Sequence, residues 1–361
     1  MKKFGVFIFM LIMLGSLFSQ PVPTAIIRQV ATNWLYLQTN LTTYQVDSLV
    51  AHPDSLDPLY WKVIFKKEIY QDGQYVWKEN GWVIVSADSS CIPILAFCTQ
   101  GRCPYKGVLS NEAADSLLSE YSIQIQEAKN NNQSNAETGP IWEAIINQTI
   151  SIVDSHDIGL ETPQWGGEGP YNQYCPFDDT HLHYNDNDIG YYDRSDVGCV
   201  ATAVAQIINY HKHWDYRLVE EDRYTSVVNS FVCNIDSDST RCDFPNFDRL
   251  NSYLDTLQIK YEGGAELSFS DKAALCFACG ILMNMDYSSY GSGAGNGSPV
   301  YEKLNMYSQK ESSNRYTSEE WLYLMKNQLI HNRPIEYHGA KNGGHAFIIY
   351  GFQTTNMNTT L

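Results

Sequence analysis

The sequence predicts an α+β protein in two units, and three observations carry that expectation. Residues 21–155 mix an amphipathic helix, several short β-branched and aromatic runs and a second helical stretch. Residues 196–214 read as a helix with one buried face and a cysteine, Cys199, at its start. Residues 343–352 read as a strand bounded by glycines, with His345 at its start. A chain of 361 residues is long enough for two domains, and the expected boundaries are 1–20, 21–155 and 156–361.

Residues 1–20 carry two lysines, an apolar run over 4–14, then Gly15-Ser16 and Ser19-Gln20. That reads as a signal peptide, the run being too short to cross a bilayer. No later stretch is long and apolar enough to span, and no cysteine lies close enough behind to suggest a lipid anchor. The expectation is export, to the exterior or the cell envelope, without a membrane anchor. A formal charge of −17 argues against nucleic acid or an anionic membrane as a partner.

In the first unit, residues 26–35 form an amphipathic helix. Strands are expected at 63–65, at 75–77 after the Asp72-Gly73 turn, at 81–88 and at 93–97. Residues 110–126 are helical, with Ser110-Asn111-Glu112 as the cap. The polar, low-complexity tract Asn130-Asn131-Asn132-Gln133-Ser134-Asn135 makes the region near 130–139 the best linker in the chain. A helix over 141–153 is expected to follow.

The second unit carries the chemistry. After Cys199, apolar Val200, Ala203, Val204, Ile207 and Ile208 recur at helical spacing. Gly198 permits a tight approach, and the dipole and free N–H groups of a helix start favour a thiolate. Gly343 and Gly344 leave room for a substrate backbone beside His345. A cysteine opening a helix and a histidine opening a strand 146 residues later is the separation expected of papain-type thiol proteases. Imidazole takes the thiol proton, holds the thiolate and later protonates the leaving amine. Asp286 to Pro299 encloses a Gly/Ser loop, either a rim of the cleft or a surface connector, and 314–330 a helix with Trp321, Met325 and Leu329 on one face.

At these residues the chain resembles the streptopain family of secreted bacterial cysteine peptidases. The carrying segments are residues 197–211 and 343–349, Pro170-Tyr171-Asn172 followed by Cys175-Pro176, and Met285-Asp286-Tyr287. Residues 81–88 with 93–96 resemble the family's propeptide. The resemblance implies a papain-like peptidase domain behind a small α+β prodomain. It implies endopeptidase action on protein or peptide substrates, and a zymogen whose own prodomain covers the groove until cleavage between about residues 129 and 162. Cys199 and His345 take the catalytic roles, and Gly344 matches a position lining the groove.

Two departures stand out. The family's oxyanion glutamine falls on Gly167, and nearby Gln164 is the candidate to replace it. Family members also continue into an Asn-Trp-Gly-Trp segment, whereas this sequence stops at Leu361, so the second unit reads as C-terminally truncated. These departures keep a second reading open, that of a weak or inactive relative acting as an inhibitor or binding protein through its prodomain.

The other cysteines name no cofactor. Cys276-x-x-Cys279 sits in an apolar helical run with no second pair, and His181, His183, His211 and His213 lack matched carboxylates. No metal and no organic cofactor is expected. Cys233 and Cys242 flank a loop, and the sequence leaves open whether they bridge. An odd total of nine leaves at least one thiol unpaired.

Overall fold

The computed structural model describes residues 19–41, 43–71, 74–100, 112–160, 165–184, 190–228, 231–339, 344–357 and 359–360. Most of the expected leader, the Asp72-Gly73 turn and the Ser110-Asn111 cap lie outside them. Among the described residues no helix is long and apolar enough to cross a membrane. The chain divides into two compact units, 1–155 together with 353–360, and 156–352.

The first unit opens with α1 (Thr24–Thr39), which buries Ile27, Val30, Ala31, Trp34 and Leu35 at three- and four-residue spacing. Four antiparallel strands follow in the order β1-β2-β3-β4: β1 (Tyr44–His52), β2 (Tyr60–Gln71), β3 (Gln74–Ser86) and β4 (Ile94–Cys98). The short runs read from sequence are pieces of these longer strands, with 75–77 and 81–86 joined in β3. Sequence reasoning missed β1. Its register shifts between Val46 and Ser48, and such a bulge breaks the two-residue alternation that marks a strand.

Helices α2 (Glu112–Asn130) and α3 (Gly139–Ile146) complete the unit. The polar tract between them is tied in, since Thr138 Oγ1 donates to Ser89 O at 2.7 Å and Gln133 O accepts from Ser19 N–H at 2.8 Å. The expected helix over 141–153 is corrected by the structure. It stops at Ile146, Gln148 turns to φ 55°, and β5 (Ile152–Asp157) begins. β-Branched Thr149, Ile150, Ile152 and Val153 favour a strand here; β5 joins a sheet of order β13-β12-β5, with β12 (Gly351–Thr355) and β13 (Thr359–Thr360).

The second unit contains hairpins β6 (Phe177–Tyr184) with β7 (Gly190–Arg194), and β8 (Thr225–Val228) with β9 (Phe231–Asn234). Its centre is α4 (Cys199–His211), in which residues 200–209 are all buried. Further helices are α5 (Phe247–Gly263), α6 (Phe269–Leu282), which packs on both α4 and α5, α7 (Ser298–Lys303) and α8 (Ser318–Ile330). A capping box starts α6, where Ser268 and Asp271 satisfy each other's backbone N–H, and Thr317 with Glu320 does the same for α8. On α8, Met325 and Leu329 are buried, while Trp321 stays half-buried between the rings of Tyr316 and Tyr337. A hairpin of β10 (Ile335–Gly339) and β11 (His345–Ile349) lies along α4.

Candidate active site

Cys199 is the first residue of α4 and is half-buried, so its sulfur is both held and reachable. The backbone before it is shaped by Gly198 at φ +84°. A Cβ there would meet Ser292 O at 2.9 Å and the Met285 sulfur at 3.0 Å, so both conformation and space demand glycine.

Two remote segments fix this approach by backbone bonds. Ser195 N–H donates to Pro176 O at 2.8 Å, Asp196 N–H to Ser288 O at 3.1 Å, and Val197 N–H to Gly167 O at 2.8 Å. Ser292 Oγ donates to Asp196 O at 2.7 Å. The 165–176 loop and the Gly/Ser loop therefore both meet the segment that leads into Cys199. Trp165 anchors the first loop, buried and stacked on Tyr171 at 5.8 Å.

The other wall is β11. Ala346 N–H donates to Cys199 Sγ at 3.4 Å, and His345 immediately precedes it. His345 is half-buried and pairs in register with Gly339. Gly344, exposed at φ +68°, lets the chain turn into this strand. Gln164 lies outside the described residues. Gly167 offers its carbonyl to Val197 but has no side chain to donate; a Cβ there would meet only Asp196 Cβ, at 4.0 Å.

Sequence reasoning missed Glu336 and His338. Register sets Glu336 opposite Ile348 and His338 opposite Ala346, so both share the face that lies along α4. Glu336 accepts from Gly297 N–H at 2.9 Å, from the Tyr301 hydroxyl at 2.9 Å and from His338 Nε2 at 2.6 Å. Burial, reinforced by the Glu336 charge, pushes the Tyr301 hydroxyl well up, so it stays a donor. Only tertiary pairing reveals the bond from Gly297 to Glu336, because the two belong to different elements.

Three other thiols are buried where Cys199 is half-buried. Burial pushes Cys175, Cys276 and Cys279 well up, as for packing residues rather than nucleophiles. Among the described residues no group of three or more His, Cys, Asp or Glu is placed to hold a metal. What remains is a sulfur at a helix start, beside an amide donor and next to a histidine-bearing strand.

Comparison with known proteins adds the following. The model of the Peptidase C10 family matches residues 165–360. Streptopain of Streptococcus pyogenes is 27% identical over 312 residues, covering 82% of this chain and 72% of streptopain, and the serotype M1 protein is 28% identical over the same length. Among solved structures, a fragment of prointerpain A from Prevotella intermedia shares 19% identity, covering 81% of this chain and 88% of that one, at a TM-score of 0.48.

Proposed function

The chain belongs to the peptidase C10 family and is a cysteine peptidase, and from that premise we propose that it is an exported papain-like endopeptidase made as a zymogen. Cys199 is the nucleophile and His345 the general base, then acid. The thiolate attacks the scissile carbonyl, the imidazolium protonates the leaving amine, and water, activated by the same imidazole, hydrolyses the thioester. The Cys199 N–H is one oxyanion donor, and Gln164 is the candidate for the second. Gly344 lines the groove. Residues 21–155 serve as the inhibitory prodomain, and residues 1–20 direct export. The substrates are proteins or peptides.

One observation supports this above the rest, the hydrogen bond from Ala346 to Cys199 Sγ. It brings the histidine strand to the sulfur, as the two-residue chemistry requires.

The test is labelling with an epoxide-type thiol-protease inactivator followed by peptide mapping, on wild type and His345→Ala. Modification of Cys199 that depends on His345 is expected. Labelling of Cys199 no faster than of the other cysteines would overturn the reading. It would then favour the second one, a weak or inactive relative acting through its prodomain, to which the missing side-chain donor at Gly167 lends support.

A further inference from the structure

Cys233, in β9, and Cys242, nine residues on, are sealed from solvent at 0% and 2% exposure. Their side chains lie within reach of each other, Cys242 acting most strongly on the Cys233 thiol. Two successive turns span the chain between them. Asp238 N–H donates to Asn234 O at 2.9 Å, and Cys242 N–H donates to Asp238 O at 2.9 Å. The Asp238 carboxylate locks the first turn, accepting from Asn234 N–H at 2.7 Å and Asn234 Nδ2 at 3.0 Å. Cys242 O in turn accepts from Phe177 N–H at 2.8 Å, so the turn braces the start of β6.

Neither thiol has a part in the site around Cys199. The neighbouring Cys242 thiol, burial and the Asp238 charge push the Cys233 thiol far up. What the arrangement offers is two sulfurs already side by side, closing a short loop.

We propose that Cys233 and Cys242 form an intramolecular disulfide when the chain folds in an oxidising compartment, clamping the 233–242 turn. This rests on the export reading above. Two S–H bonds break and one S–S bond forms. A disulfide oxidant, oxidised glutathione for example, accepts the electron pair and both protons and leaves as two thiols, by way of a mixed disulfide. Exchange takes place during folding, before the pair is buried, and it leaves Cys199 free.

The experiment refolds the full chain in a glutathione redox buffer, alkylates free thiols under denaturing conditions, digests and maps by mass. The expected product is a linked Cys233–Cys242 peptide pair, lighter by two hydrogens than the separate thiols. Reduction with dithiothreitol is expected to lower the Tm by about 5–10 °C. A Cys233→Ala, Cys242→Ala double variant should lose that redox dependence. Recovery of both cysteines as separately alkylated peptides, from a chain shown to be folded by circular dichroism, overturns the proposal. The mapping needs no variant, so a variant that fails to fold leaves the decision intact. Epoxide labelling of Cys199 in the same digest scores the peptidase reading separately.

Discussion

Ala346 N–H reaches Cys199 Sγ at 3.4 Å across 147 residues of chain. The sulfur and the residue after His345 are thus joined by a backbone donor rather than by side chains alone. Cys199→Ala removes the acceptor of that bond, whereas His345→Ala leaves both its atoms in place. Cys199→Ala and His345→Ala should each lower kcat/KM by about 10³-fold or more, with little change in Tm. In the proposed mechanism the two act as a unit, so the double variant should be no worse than the poorer single one. Hydrolysis of a quenched fluorescent peptide measures all three.

Gly198 governs how the chain enters α4. Gly198→Ala forces a Cβ against Ser292 O and Met285, at a φ of +84° that side chains rarely adopt. We expect a loss of about 1–3 kcal/mol in stability together with lower activity, since Cys199 is the next residue. Denaturant unfolding followed alongside turnover checks both, and full activity at unchanged stability would contradict the geometry.

Glu336 holds β10, the Gly/Ser loop and α7 together through Gly297 N–H, the Tyr301 hydroxyl and His338. Glu336→Ala leaves a mostly buried N–H and a buried hydroxyl without their acceptor, so a cost of about 1–3 kcal/mol is expected. Tyr301→Phe removes a single hydroxyl bond and should cost less. Thermal melts of the two variants give the order directly.

Asp271 links stability to pH. Burial alone would raise its carboxyl, but bonds from Lys260 Nζ at 2.5 Å and from the Ser268 hydroxyl and N–H outweigh that and hold it below the usual range. A folded value below the unfolded one contributes stability that is complete above the unfolded value, near ~3.9. That contribution is lost as pH falls through the folded value. The stability gap between wild type and Asp271→Asn should therefore be widest near neutrality and close in acid. A gap that persists to the lowest measurable pH would refute this account.

The sequence was legible where a local pattern carries its own physics. Helical spacing after Cys199, glycines around His345 and the buried face of residues 26–35 all follow from side-chain periodicity. Patterns failed where tertiary partners decide. The bulge between Val46 and Ser48 hid β1. The apolar run after Ile141 has the look of one helix, although β-branched residues beyond Gln148 pair in a sheet instead. The polar tract near 130–139, legible as a linker by composition, is a hydrogen-bonded connection within the first unit.

By itself the sequence determined the chemistry on offer: one cysteine at a helix start, one histidine at a strand start, and their separation along the chain. Residue identity and periodicity are local properties, and reading them needs no neighbours. Only the tertiary structure decided that Ala346 touches the sulfur, that Glu336 and His338 lie on the face along α4, and that Cys233 meets Cys242. Those are relations between segments far apart in sequence, or across a turn whose course depends on Asp238, and only packing and backbone pairing fix them.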